Sequence, residues 1–327
     1  MEESFSRRNI LTPDELRALN KKSNFAGFFQ LISHFLSIFI VGLIHYHLLG
    51  SWWCLSSGFI LGVLINFLYA GQHELSHSTV FKTAFINEFF GRVIGFFMFF
   101  PRDFDQIMHF AHHKFTQNWE KDGELAREAF TLKSYLLWLS GITYWKNRWV
   151  GILRRALGKI IEPYIFKSQE RKVILESQIH LLGYATIILV SLYFQNLFAI
   201  YFWVLPMVLT KPIHQLQNTI EHLGLSHEDD ILKNTRSTRT NFFFKWLCWQ
   251  MPYHTAHHTF PSVPFWKLKH LNKKVEEVAG PVHSMGWLEF QFSVISRLLE
   301  KDESKWPQNE VWVISSKDNK KPIKLEA

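Results

Sequence analysis

The chain has 327 residues and a net charge of +8. That length allows one large domain or two small ones. A basic balance can serve nucleic acid, but here the Lys and Arg residues flank long apolar stretches, which points to a membrane surface and away from nucleic acid. The two cysteines, Cys54 and Cys248, form no CxxC pair, so zinc-knuckle and thioredoxin-type sites have no support.

Residues 1–24 are polar and read as a cytoplasmic N-terminal segment. Within them Thr12-Pro13-Asp14-Glu15 supplies an N-cap, a first-turn proline and acidic first-turn residues, predicting a short helix. The apolar stretch that follows is too long for a secretory signal and has no small-residue cleavage site. No Lys or Arg occurs between Lys22 and Lys82, or between Lys172 and Lys211. These gaps predict four spanning helices at about 25–49, 51–72, 179–195 and 197–218, each long enough for roughly 30 Å of hydrocarbon. Gly50-Ser51 and Gln195-Asn196 make the two short turns, so the spans form two hairpins.

The basic residues set the orientation. The N-terminus, the section 73–177 and the section from Lys233 onward are rich in Lys and Arg, whereas both hairpin turns lack them. All three regions are therefore expected on the cytoplasmic side. The stretches Ala84–Phe100 and Leu132–Trp145 read as amphipathic helices lying in the interface. The expected architecture is an all-α membrane protein: one domain over 25–316, with two hairpins and a cytoplasmic helical cap. The tail 317–327 is expected to be disordered. A bacterial inner membrane fits better than endoplasmic reticulum.

The chemistry lies in the 17 histidines. His73-Glu-Leu-Ser-His77 is an HxxxH pair at the inner end of the second span. His109-Phe-Ala-His112-His113 and His254-Thr-Ala-His257-His258 are two HxxHH clusters, and His222 closes the fourth span. Positions i, i+3 and i+4 share a helix face, so each cluster aims its rings together. One cluster offers too few ligands for a closed site, but three together surround two metal ions. The four-span topology places all of them on one side of the membrane. If Ala84–Phe100 crossed, the first two clusters would be separated. Imidazole suits iron, zinc, copper and nickel alike. His73-Glu74-Leu75-Ser76-His77 also spells the HExxH zinc-protease pattern, with Glu74 as base, but that reading leaves both HxxHH clusters unexplained. A metal transporter would need polar groups inside the spans, whereas these histidines sit at span ends and beyond. His34, His45, His47 and His180 read as packed or interfacial residues.

HxxxH, HxxHH and HxxHH, split by a membrane hairpin, resemble the three histidine boxes of the membrane fatty acid desaturase and hydroxylase superfamily over about residues 70–270. Leu11-Thr-Pro-Asp-Glu-Leu16, Asn234-Thr-Arg-Ser-Thr-Arg-Thr-Asn241 and Met251-Pro-Tyr-His-Thr-Ala-His-His-Thr-Phe-Pro261 resemble its bacterial-type branch. The resemblance implies two irons held by the eight box histidines and His222, with Asn218 of Asn218-Thr-Ile-Glu-His222 contacting iron through water. Several departures narrow the type. The first box lacks the HxxxxH spacing of the animal acyl-CoA Δ9 type. The third opens on His254 where front-end desaturases carry Gln. No HPGG segment of a fused cytochrome b5 is present, and the HxxHH clusters differ from the HxxxHH of alkane hydroxylases.

The expected activity is O2-dependent introduction of a C=C bond into a lipid acyl chain. The rivals are a lipid or carotenoid hydroxylase or ketolase, and a decarboxylase forming terminal alkenes. No side chain removes an unactivated alkyl hydrogen as a proton, so the two irons must carry that chemistry. Carboxylates should orient the ligand rings; Asp103, Asp105, Glu74 and Glu221 are the candidates. Arg236 and Arg239 are candidates for an acyl carboxylate, phosphate or carrier headgroup. The Phe-rich spans and the run Phe242–Trp249 are candidates to line an acyl tunnel. No flavin, haem or iron–sulfur motif is visible, so electrons are expected from an external ferredoxin or cytochrome b5 attracted by the basic face.

Overall fold

The computed structural model describes residues 10–118, 121–124 and 131–300, with the backbone of 313–315 and 322–324. Residues 1–9 and most of the expected tail lie outside the described residues. The chain begins with α1 (Pro13–Leu19), α2 (Asn24–Leu48), α3 (Trp53–Ser76), α4 (Ala84–Phe97) and α5 (Arg102–Lys114). It continues through α6 (Leu132–Leu139), α7 (Ile142–Ala156), α8 (Lys167–Tyr193), a π-helical turn at Ile200–Val204 and α9 (Leu205–Ile220). The C-terminal section holds α10 (Ile231–Asn234), α11 (Phe242–Leu247), α12 (His254–Thr259), α13 (Leu268–Ala279) and α14 (Trp287–Leu299). Strands are short: β1 (Ser237–Thr238) pairs in parallel with β2 (Ser284–Met285), and Val313–Ser315 pairs antiparallel with Pro322–Lys324.

The Thr12 cap forms as expected. Its hydroxyl accepts from Glu15 N at 3.3 Å, and the Glu15 carboxylate accepts from Thr12 N at 2.9 Å, a reciprocal pair that satisfies two orphan donors. Helices α2, α3 and α8 are long and apolar enough to cross a membrane. They also expose large apolar side chains such as Phe29, Ile32, Phe39, Leu182 and Leu189. Apolar surface on that scale, on helices of spanning length, needs lipid to cover it and marks an integral membrane protein. The third expected span starts earlier than its apolar part, because α8 extends back through the polar stretch from Lys167.

Two sequence expectations need correction in detail. The segment expected at 197–218 is not one uniform helix: the π turn at Ile200–Val204 runs into α9, which has only 16 residues. Leu132–Trp145 is two helices, not one. Gly141 breaks it at φ +78, a left-handed conformation that costs glycine little. The stretch from Ala84 ends as a helix at Phe97, and the chain bends by 102° into α5. Arg102 is the first residue of α5 and follows Pro101, whose missing N–H costs nothing at a helix start. The bend lays α5 across the end of α3. Gln106 Nε2 donates to Ser76 O at 2.6 Å, and Gln72 Nε2 donates to Asp105 Oδ2 at 3.0 Å.

α3 is the central helix. It packs against α2, α4 and α9 and buries Leu61, Leu64, Phe67 and Leu68. Its approach to α9 is closest at Gly62, where an added Cβ would lie 2.1 Å from Pro206 O. Asn66 then fixes the rotation of the pair, with Nδ2 donating to Met207 O at 2.7 Å and to Thr210 Oγ1 at 2.9 Å. Gly62→Ala should therefore cost about 1–3 kcal/mol by overpacking. That loss is expected as a lower melting temperature in detergent, while Gly42→Ala, whose Cβ would meet nothing within 4 Å, should leave melting unchanged.

Candidate metal centre

Four parts of the chain bring the histidines together. The C-terminal turn of α3 and its cap supply His73 and His77. α5 supplies His109, His112 and His113; the residues just past α9 supply His222; and α12 supplies His254, His257 and His258. Six of the nine are buried, with His257 and His258 at 0% and 1% exposure, and His77, His113 and His222 are half-buried. Two groups of ligand atoms result, each within 4.8 Å of one another: His73, His77, His109, His113 and His257, and His112, His222 and His258. His254 joins the second group, its Nε2 being 2.8 Å from His222 Nε2. The groups adjoin, since the His113 and His258 ring centroids are 4.2 Å apart.

The hydrogen bonds on the outer ring nitrogens decide what the inner ones carry. His222 Nδ1 lies 2.9 Å from Asn234 O. A carbonyl only accepts, so Nδ1 holds the proton and the neutral ring presents a bare Nε2. His109 Nδ1 faces Glu124 Oε1 at 3.0 Å, and His112 Nδ1 faces Asp122 Oδ2 at 2.9 Å, with the same consequence. His254 Nδ1 lies 3.7 Å from Glu221 Oε1. Glu74 Oε1 sits between two rings, 3.4 Å from His73 Nδ1 and 3.6 Å from His257 Nδ1.

The bare nitrogens then face one another. His109 Nε2 is 2.8 Å from His77 Nε2 and 2.9 Å from His113 Nε2, and His113 Nε2 is 3.1 Å from His257 Nε2. Nitrogens so disposed are spaced to share a cation. Ligands at right angles around a metal, with bonds of about 2.1 Å, have nitrogens about 3.0 Å apart. His258 Nε2, buried and without a hydrogen-bond partner, is oriented for the same purpose. The residues thus fit a metal-binding centre.

Electrostatics agree. Burial pushes the pKa values of His77, His109, His113, His254, His257 and His258 well down, and neighbouring imidazoles push them further, so these rings stay neutral and can donate. Burial takes His222 to about 3. His112 goes the other way: burial opposes its charge, but Glu124 and Asp122 outweigh it and raise the ring to about 9. Carboxylates that favour a proton on His112 equally favour a metal cation beside it. Burial also lifts Glu221 to about 7.

Of the carboxylates singled out in the sequence, Glu74 and Glu221 face ligand rings. Asp105 accepts from Gln72 and Ser76, and burial raises it to about 7. Asp103 pairs with Arg92 at 3.1 Å. These two fasten α5 to its neighbours. The carboxylates the sequence reading missed are Asp122 and Glu124, which follow the second cluster in a polar stretch without helical period or motif. Arg236 is buried and donates to Ile220 O at 2.7 Å and Leu223 O at 3.0 Å, closing the carbonyl end of α9. Arg239 is exposed and pairs with Glu289. Asn218 is half-buried one turn before His222. In the run Phe242–Trp249, Phe242 and Phe243 are exposed, whereas Leu247, Cys248 and Trp249 are buried.

Apolar helices long enough to span, ending in converged neutral imidazoles backed by carboxylates, define a membrane oxidoreductase of the histidine-box class. The chain matches the family model for fatty acid desaturase over residues 50–289 and belongs to that family. A comparison with curated proteins found no match.

Outer carboxylates of this kind typically contribute 10–100-fold to metal affinity. Asp122→Ala should weaken iron binding by that factor, read as iron retained per chain after dialysis against a graded chelator series. Retention equal to the unchanged protein would remove Asp122 from the centre.

Proposed function

We propose that the protein is an O2-dependent di-iron acyl desaturase that introduces a C=C bond into a lipid acyl chain. The observation that carries this reading is the division of the imidazoles into two adjoining groups, five rings in one and four in the other once His254 is counted. One ion per group accounts for both. Asn218 is assigned to the second group through a water, and His222 to direct ligation.

Iron supplies the reduction of O2 and the abstraction of hydrogen from an unactivated C–H bond. Overall, one O2, two electrons, two protons and the two hydrogens removed from adjacent carbons leave as two waters. The chain's own residues do the rest. Burial keeps the rings neutral and available, while Glu74, Glu221, Asp122 and Glu124 fix their orientation. The buried walls of α3, α5 and α12 exclude bulk water. The electrons are assigned to an external ferredoxin or cytochrome b5, which the chain's basic charge would attract.

The four-span layout, with both termini and the metal centre on the cytoplasmic face of a bacterial inner membrane, belongs to the same proposal. The proximity of His77 to His109 supports it. If α4 crossed the membrane, that contact would be impossible; the sharp bend before α5 instead returns the second cluster to the end of α3.

Purified protein should carry about two irons per chain, and a host expressing it should gain unsaturated acyl chains. His257→Ala, which removes a buried ligand, should abolish the new unsaturation while leaving membrane insertion intact. Zinc as the sole metal, or alcohols or terminal alkenes in place of internal double bonds, would overturn the desaturase reading.

A further inference from the structure

On the span side of the metal centre, α3, α7 and α9 bury polar groups that the proposed iron chemistry does not use. Lys211 on α9 is fully buried. Its Nζ lies 2.9 Å from His214 Nδ1 and 3.5 Å from the centre of the Tyr144 ring. Arg148, one turn after Tyr144 on α7, rests its guanidinium 3.1 Å from the centre of the Phe100 ring and 4.6 Å from that of Tyr144. The Tyr144 hydroxyl is buried and has no hydrogen-bond partner.

Aromatic faces offset part of the cost of burying these cations, but no carboxylate lies within ion-pair distance of either among the described residues. The acid that Arg148 influences most clearly, Asp105, spends its carboxylate on Gln72 and Ser76. A buried lysine and a half-buried arginine sharing one aromatic ring, with an unsatisfied phenol beside them, are complementary to an anion bearing several acceptor lone pairs.

The position of the cluster narrows that anion. His214 packs 5.2 Å from Tyr69, and Tyr69 stacks on Phe100. Tyr69 precedes His73 by four residues on α3, and His214 precedes His222 by eight along α9. At 1.5 Å per residue these offsets are about 6 Å and about 12 Å along the helix axes. The cluster therefore sits beside the metal ligands, behind the apolar spans. A bulky carrier headgroup would need a path to water there, whereas a carboxylate on an alkyl chain needs none.

We propose that Lys211, Arg148 and Tyr144 bind the carboxylate of an unesterified fatty acid, so that the carboxyl end of the chain, rather than its tail, lies against the metal centre. This names the substrate class of the site above and rests on the acyl-chain reading. His214 is a positioning residue that holds Lys211 toward Tyr144. The reacting carbons are then those nearest the carboxyl group.

The test is binding by the full chain in lipid nanodiscs, comparing palmitic acid with methyl palmitate by displacement of a fluorescent fatty acid. The protein should bind the acid at least tenfold more tightly than the ester. Lys211→Met keeps the volume of the buried side chain and should close most of that gap without changing ester affinity. Arg148→Gln, at a half-buried position where folding is less at risk, should close part of it. Arg239→Gln should leave the gap intact. Equal affinity for acid and ester in the unchanged protein, or a gap that survives both substitutions in folded protein, would overturn the carboxylate site. Iron content and lipid turnover are measured on the same preparations. Turnover without acid preference defeats only the anchor, whereas acid preference without iron or turnover defeats the desaturase reading and leaves the anchor standing.

Discussion

The structure depends on neutral imidazole nitrogens held at the spacing of ligands around a common cation. His109 Nε2 has two such neighbours within 2.9 Å, and His222 Nε2 meets His254 Nε2 at 2.8 Å. On three rings, His109, His112 and His222, the opposite nitrogen is committed elsewhere. An Asn234 carbonyl or an Asp122 or Glu124 carboxylate accepts the Nδ1 proton and leaves Nε2 bare. Burial disfavours a second proton on most of these rings, His112 with its two carboxylates being the exception. A metal ion among these nitrogens would satisfy them together, and its binding would then be thermodynamically linked to the packing of α3, α5 and α12.

That linkage explains which parts of the site were legible from sequence. The ligands were readable because helical spacing alone puts i, i+3 and i+4 on one face, and three such clusters are too many for a solvated surface. Glu74 and Glu221 were within reach because each adjoins a clustered histidine in sequence, Glu74 following His73 and Glu221 preceding His222. Asp122 and Glu124 were not, because they lie in a turn beyond α5 that only the tertiary fold brings back under the rings. Asp103 and Asp105 show the opposite limit. They share a helix with the second cluster, and Asp105 even lies one turn before His109 on its face, but their carboxylates are taken by Arg92 and by Gln72 and Ser76.

The fold divides in the same way. Apolar length gave α2 and α3 within a residue or two at their starts, since the absence of charge is itself the signal. It did not give the π turn at Ile200–Val204, the break at Gly141 or the sharp bend before α5, because each is a backbone event that packing selects. Arg236 belongs with them. Its sequence context suggested a headgroup contact, yet it closes the carbonyl end of α9 next to Glu221 and His222. A buried arginine that fixes a ligand-bearing helix end acts on the metal without touching it.

The bend and the α3–α9 contact together set the metal geometry. A helix rotates about 100° per residue, so a slip of one position between α3 and α9 would turn His73 away from the pocket that His222 helps to close. Gly62 removes the side chain that would hold the helices apart, and the Asn66 amide bonds Met207 O and Thr210 Oγ1 on the far helix. Among lipid tails, apolar contact alone hardly distinguishes one rotation from another, whereas a buried amide is satisfied in only one. The register of the clustered histidines is thus fixed two to three turns away, by a small residue and a polar one inside the span.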